Sequence, residues 1–276
     1  MLDFKNNREI PLFWWSEPRL MGKQQENYGD LLSKYLVEKI SGKRVRWVQP
    51  KKIPWFSLPK LNYLGVGSII HHATKRSIVW GSGIIDQKQE IASAAFRAVR
   101  GPKTRDYLIK RGYDCPEVYG DPALLLPDYF CPEVEKEFKL GIIPHYNDYS
   151  EVKSQYLSIK NIQVVNMMTD DIEKTTTEIL KCEYIIASSL HGLIISHTYG
   201  IPGVWVEFSD KIFGDGVKYE DYLKSVDLPV YEPPFLQDMK SLDELYEMIN
   251  ELPNIPKPRK IQTLKKGLLR SCPFSR

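Results

Sequence analysis

The residues Ser188-Ser189-Leu190-His191-Gly192 stand between an apolar run at 184–187 and a second apolar run that continues to His197. This pattern predicts a short strand followed at once by a helix. In an open α/β sheet the carboxyl end of a strand and the amino end of the next helix meet at the ligand crevice. A helix N-terminus offers unpaired N–H groups and partial positive charge, which suits phosphate or carboxylate. His191 therefore stands where one group of near-neutral pKa can take and return a proton beside an anionic substrate. Ser188, Ser189, Leu190 and Gly192 would line the same anion. A histidine that merely caps its own helix is the plainer reading of the same residues.

Three other groups have the right types for binding. Asn27-Tyr28-Gly29-Asp30 opens a predicted helix, with Asn27 or Asp30 as cap and Gly29 permitting close approach of a ligand. A capped helix and nothing more also explains them. Gly81, Ser82 and Gly83 follow a predicted strand and can present backbone N–H groups to an anion. Gly65-Val66-Gly67-Ser68 has the same form, and tight turns use the same residues. Among Arg97, Arg100, Arg105 and Arg111, Arg100 ends a strand where the loop should face the crevice. Its planar fork matches phosphate or carboxylate, although most arginines are simply solvated. His71, His72, His145 and His197 lack metal-ligand spacing, as do the scattered Cys115, Cys131, Cys182 and Cys272. No metal site is expected, and His145 is placed to face the same crevice.

The elements that must hold these residues alternate. Strands are predicted at 10–15, 63–66, 78–80 and 96–99, with helices at 27–40 and 102–110. A linker is expected around 120–122 and 127–132. After it come strands at 139–143, 162–165, 184–187 and 204–208 and helices at 149–157, 170–181 and 191–199. The βαβ rhythm implies an α/β fold with parallel sheets. Residues 1–130 and 131–256 are read as two Rossmann-like domains facing a cleft, followed by a basic amphipathic tail at 257–276.

Composition sets limits. The chain has 276 residues, 42% hydrophobic and 26% charged, enough to bury a substantial core. No apolar run is long enough to span a membrane, and 10–15 is too short and aromatic for a secretory signal. A cytoplasmic protein with reduced cysteines is expected. The net charge of +3 conceals a tail with Lys257, Arg259, Lys260, Lys265, Lys266, Arg270 and Arg276 and no Asp or Glu. Ile261, Leu264, Leu268 and Leu269 give that tail one apolar helical stripe. Such a helix can lie on an anionic membrane surface or pack on the body with its lysines solvated.

Together these motifs resemble the polysaccharide pyruvyl transferase family. The pieces are Asn27-Tyr28-Gly29-Asp30, Trp80-Gly81-Ser82-Gly83, Val99-Arg100, Gly120-Asp121-Pro122-Ala123, Ser188-Ser189-Leu190-His191-Gly192 and Gly200-Ile201-Pro202, in the family's order. The resemblance implies a GT-B-like pair of halves and transfer of pyruvyl from phosphoenolpyruvate to two sugar hydroxyls as a cyclic ketal. It implies His191 for proton transfer and Arg100 for phosphate or carboxylate, with Asn27 and Asp30 orienting substrate. No cofactor beyond the phosphoenolpyruvate co-substrate and no nucleic-acid partner is implied. Capsule or exopolysaccharide synthesis fits, with the acceptor on a lipid-linked oligosaccharide near the membrane. Many relatives carry Arg directly before the Leu-His pair, where this chain has Ser189; the donor would then rest on Arg100, Arg105 and backbone N–H groups. Two other classes fit the same pattern. One is a nucleotide-sugar glycosyltransferase, with Glu207 as its ribose partner. The other is a non-catalytic glycan-binding protein using Trp14, Trp15, Trp47, Trp55, Trp80 or Trp205.

Overall fold

Short apolar runs bounded by Gly or Pro form strands, and the helices between them return the chain to the same edge, so every strand pairing is parallel. The computed structural model describes residues 9–54, 56, 61–211 and 214–274, which leaves Trp55 and Arg276 outside the described residues. In the first half β1 (Ile10–Phe13), β2 (Val45–Trp47), β3 (Asn62–Leu64), β4 (Ser77–Trp80) and β5 (Ala95–Ala98) form a sheet in the order β2-β1-β3-β4-β5. Helices α1 (Glu17–Met21), α2 (Tyr28–Ser41) and α3 (Pro102–Lys110) accompany it. In the second half β6 (Phe138–Ile143), β7 (Ile162–Val164), β8 (Cys182–Ala187) and β9 (Gly203–Trp205) form the order β7-β6-β8-β9. With them come α4 (Tyr149–Tyr156), α5 (Ile172–Leu180), α6 (Leu190–Thr198), α7 (Val217–Ser225), α8 (Leu242–Glu251) and α9 (Pro258–Ser271).

The residues between the two stretches expected to form a linker are interior. Asp121 caps a 3₁₀ run, Pro122–Asp128, whose Leu124, Leu125 and Leu126 are fully buried against α2, α6 and α9. Proline and aspartate suggested a surface loop, but three consecutive leucines cannot stay in water without large cost. The two halves accordingly share one apolar cluster that includes Leu12, Leu32, Trp80, Leu125, Ile143 and Leu193. Polar links reinforce it: Tyr28 and Thr176 hydroxyls meet at 2.7 Å, and Asp170 accepts from the Glu26 amide at 3.2 Å. Asp171 caps α5, as its sequence position suggested.

The apolar stripe of the tail forms on α9 and faces inward. Ile261, Leu264 and Leu268 are buried, and the Trp80 indole donates to the Leu268 carbonyl at 2.9 Å. Lys265 closes the contact with an ion pair to Asp128 at 2.5 Å. Arg259, Lys266, Leu269 and Arg270 stay exposed, so the outward face is largely cationic rather than apolar. No helix among the described residues is long and apolar enough to cross a membrane.

A charge pair joins the halves. Arg100, just past β5, is fully buried; its Nε donates to Asp221 of α7 at 3.1 Å, Nη1 to Ser68 Oγ at 2.6 Å and Nη2 to the Ile84 carbonyl at 2.6 Å. Asp221 also accepts from the Thr104 amide at 3.0 Å and hydroxyl at 2.7 Å. Breaking one partner of a buried pair costs about 3–5 kcal/mol. Asp221→Asn should therefore lose that much stability in urea unfolding, and a loss below about 1 kcal/mol, typical of exposed pairs, would contradict the tie.

Buried histidines add a pH dependence. Burial pushes His197 down to about 4, and its ring nitrogens meet the Tyr222 hydroxyl at 2.9 Å and the Gly203 carbonyl at 2.8 Å. Burial pushes His71 and His72 down to about 4 as well. From the ordinary 6.5 down to about 4 the unfolded chain binds protons that the folded chain refuses. Stability should thus fall as pH drops through that window. In His197→Gln the slope of Tm against pH should be shallower; an unchanged slope would remove His197 from the account.

Candidate functional site

Residues just beyond the carboxyl ends of β3, β4, β5, β6 and β8 lie against one another, as the topology of parallel sheets dictates. At the end of β8, Ser189 caps α6 by accepting from the Gly192 amide at 3.4 Å. Ser188 is engaged on both sides: its Oγ accepts from the His145 amide at 2.8 Å, and its carbonyl accepts from the Tyr219 hydroxyl at 2.6 Å. Leu190 is buried, and a Cβ on Gly192 would stand 2.7 Å from Ile143. His191 is the member of this run that reaches the other half.

The His191 ring lies on the first turn of α2, where a Cβ added to Gly29 would overlap Nδ1. Its Nε2 stands 3.5 Å from Asp121 Oδ2, and both atoms are buried without a hydrogen-bond partner. The other carboxylate oxygen of Asp121 accepts from the Ala123 amide at 2.9 Å, which fixes the group. Buried polar atoms are nearly always satisfied. The imidazole nitrogen and the carboxylate oxygen therefore answer one another, at a separation just beyond an ordinary hydrogen bond. Catalytic hydrogen bonds are often long before substrate arrives and tighten in the complex.

Around this pair the charges are unusual. Asp30, also in the first turn of α2, approaches Gly67, where a Cβ would stand 3.3 Å from Oδ1. Burial, with Glu17, Glu26 and Asp121 nearby, holds the Asp30 carboxyl well above the usual carboxylate range, against the pull of Lys218. Lys218, in the first turn of α7, is pushed down to about 8 by burial and by Arg100, while Asp30 and Glu207 oppose the shift. Burial, Lys218 and Lys23 push His145 down to about 4.

The remaining candidates are placed by the fold itself. The Asn27 side chain accepts from the Gly29 amide at 3.0 Å, as a helix cap. The loop expected to offer N–H groups to an anion instead ties neighbouring loops together: Gly81 donates to the Ala98 carbonyl at 2.8 Å and Gly83 to the Gly67 carbonyl at 3.1 Å. Ser82 Oγ donates to the same Gly67 carbonyl at 2.8 Å. Arg100 is closed by Asp221, Ser68 and Ile84, and Arg105 donates to the Cys115 carbonyl at 3.1 Å. Neither arginine touches His191 or Asp121 among the described residues. Asp121 entered the sequence reading only within the Gly120-Asp121-Pro122-Ala123 motif, without a role, and Lys218 did not enter it. An Asp-Pro pair before apolar residues signals a cap, and nothing in the polar-looking 217–225 marks a buried lysine.

Comparison with known proteins places the chain in a family. Residues 27–210 match the family model described as polysaccharide pyruvyl transferase. The chain is 33% identical over 204 residues to the uncharacterized protein L143 of Acanthamoeba polyphaga mimivirus, a match covering 71% of this chain and 70% of that protein. It is 24% identical over 239 residues to the succinoglycan biosynthesis protein ExoV of Rhizobium meliloti, covering 81% of this chain and 66% of that one. The family match spans α2, the loops after β3, β4 and β5, Asp121 and His191, and stops short of Lys218. With well over half of its length inside that match, including both members of the orphaned pair, the chain belongs to the polysaccharide pyruvyl transferase family.

Proposed function

We propose that this chain transfers the pyruvyl group of phosphoenolpyruvate to two hydroxyls of a sugar, in a polysaccharide or its precursor, as a cyclic ketal. The observation that carries the reading is the orphaned His191–Asp121 pair within the matched segment. In this reaction a proton adds to C3 of the enol, a sugar oxygen attacks C2, the bond from C2 to the phosphate oxygen breaks, and the second hydroxyl closes the ring. Of the two hydroxyl protons released, one balances the proton on C3 and the other leaves with phosphate. His191 handles these transfers, and Asp121 Oδ2 steadies the imidazolium. Such general acid–base help contributes about 10²–10⁴-fold.

The donor carries phosphate and carboxylate, and Ser189 stands where many relatives have arginine. Lys218 supplies positive charge next to Asp30 and Arg100. Arg100 serves by holding α7, and therefore Lys218, against the first sheet. Asp30 and Asn27 shape the wall on the α2 side. The two sheets form a GT-B-like pair in this reading, in a cytoplasmic enzyme. Its approach to a lipid-linked acceptor would use the cationic outer face of α9, because the apolar stripe is buried.

His191→Gln should lower turnover by about 10²–10⁴-fold, followed as phosphate release from phosphoenolpyruvate with a panel of sugars, while the donor still raises Tm. Turnover near the parent's level would overturn the assignment. Donor affinity should weaken as pH rises through about 8, where the Lys218 ammonium is lost. The Lys218→Met variant should bind phosphoenolpyruvate weakly and without that pH dependence. A wild-type pH profile in the variant would place the donor's cation elsewhere.

A further inference from the structure

Charge is unevenly spread along this chain. Residues 39–85 contain nine Lys or Arg and no Asp or Glu, although the whole chain holds 35 Asp and Glu. The fold gathers much of that stretch at one edge of the first sheet, where β2 is the terminal strand. Lys43 and Arg44 lead into β2, Arg46 lies on it, and Lys51 and Lys52 occupy the turn Pro50–Lys52 that leaves it. All five are exposed. The Arg19 guanidinium of α1 joins them, 5.2 Å from the centre of the Trp47 ring.

Little of this charge is answered in place. Arg46 stands 3.8 Å from Glu9, with both side chains about half in water. Lys43, Arg44, Lys51 and Lys52 make no ion pair among the described residues. Lys51 instead faces His71 and His72 and helps burial push both down to about 4. Edge strands commonly carry Lys or Arg to prevent pairing with another sheet, which accounts for Arg46. It does not account for the apolar side chains that stand out of the same region. Phe56, four residues past the lysine pair, is 75% exposed, and Leu61, at the entry to β3, is 51% exposed. Met21 of α1, two residues beyond Arg19, is exposed as well.

A second stretch without Asp or Glu, residues 252–276, ends against the first. Phe274, just past α9, packs on Tyr63 of β3 with ring centroids 4.9 Å apart, two residues from Leu61. A partner for this surface must present anions over a broad area and accept apolar side chains beneath them. A nucleic acid meets the first demand and leaves Leu61 and Met21 in water. An anionic bilayer meets both: its surface attracts nearby Lys and Arg, and aromatic and aliphatic side chains enter the headgroup boundary. We propose that the β2 edge and the turn after it dock on an anionic lipid surface, with Lys51 and Lys52 at the headgroup phosphates and Phe56 inserted between them. The cations of α9 add to a contact whose anchor lies on the first sheet. The inference stands independently of the pyruvyl-transfer reading.

The test is cosedimentation of the full chain with vesicles of phosphatidylcholine, with and without phosphatidylglycerol. The chain should bind the vesicles that contain phosphatidylglycerol, and binding should fall as salt rises above about 0.15 M, where screening acts within about 8 Å. Replacing Lys51 and Lys52 together by Gln should weaken binding about thirtyfold, at about 1 kcal/mol for each cation removed. Phe56→Ser should weaken it about tenfold, the worth of a partly buried phenylalanine, while Tm stays unchanged, as for other surface substitutions. Failure to bind anionic vesicles would overturn the proposal, as would equal binding by the parent and these variants. Binding lost only when Lys266 and Arg270 are replaced by Gln would place the contact on α9 and overturn it too. Retention on a DNA oligonucleotide without vesicle binding would assign the surface to nucleic acid instead.

Discussion

A guanidinium taken fully out of water must be closed on every side, and Arg100 is closed by two separate loops and one helix. Ser68 follows β3, Ile84 follows β4, and Asp221 comes from α7 in the other half. The closeness of this packing dictates sequence around it. A side chain on Gly83 would overlap the guanidinium, and one on Gly101 would overlap the Asp221 carbonyl. Desolvation makes such a pair a poor source of net stability. Its effect is positional: it fixes α7 against α3 and so sets where Lys218, Tyr219 and the Trp205 ring stacked on Tyr219 stand.

This explains which parts of the molecule were legible in its sequence. Parallel strands buried on both faces are apolar runs, and caps such as Asn27 mark their helices, so most of the alternation was legible to within a few residues, although α1 and α8 were not. Neither was helix α7. Lys218, Asp221 and Ser225 are buried on it, so its inner face carries charge and the amphipathic pattern disappears. Strand β2 is three residues long and carries Arg46 at its centre, too short a run to register. The expected linker stretches, 120–122 and 127–132, flank and overlap the buried turn Pro122–Asp128, because proline and aspartate mark turns equally well at the surface and in the interior.

The site was legible in part for the same reason. His191 follows directly from local order, strand then serine cap then helix, and local order is what a sequence displays. Its partner Asp121 belongs to the other half, and no spacing rule connects them. Arg100 stood out because an arginine at a strand end is unusual. Spacing alone could not decide whether its fork meets a ligand or an aspartate 121 residues later. Tertiary pairing decides, and it assigns the guanidinium to Asp221.

The proposed function raises a physical question, how an anionic donor could approach residues flanked by Glu17, Glu26 and Asp30. Glu17 and Glu26 are held by fixed partners: Lys23 pairs with Glu17 at 2.9 Å, and the Ser16 hydroxyl donates to Glu26 at 2.7 Å. Asp30 sits among them, and burial with these neighbouring carboxylates pushes its carboxyl well above the usual range, which favours its uncharged form. Lys218 carries its proton below about 8, and an incoming anion would strengthen its hold on it. On the proposed function, donor binding and protonation of Lys218 would support each other. Because Arg100 fixes α7 through Asp221, it also fixes where the Lys218 cation stands relative to Asp30.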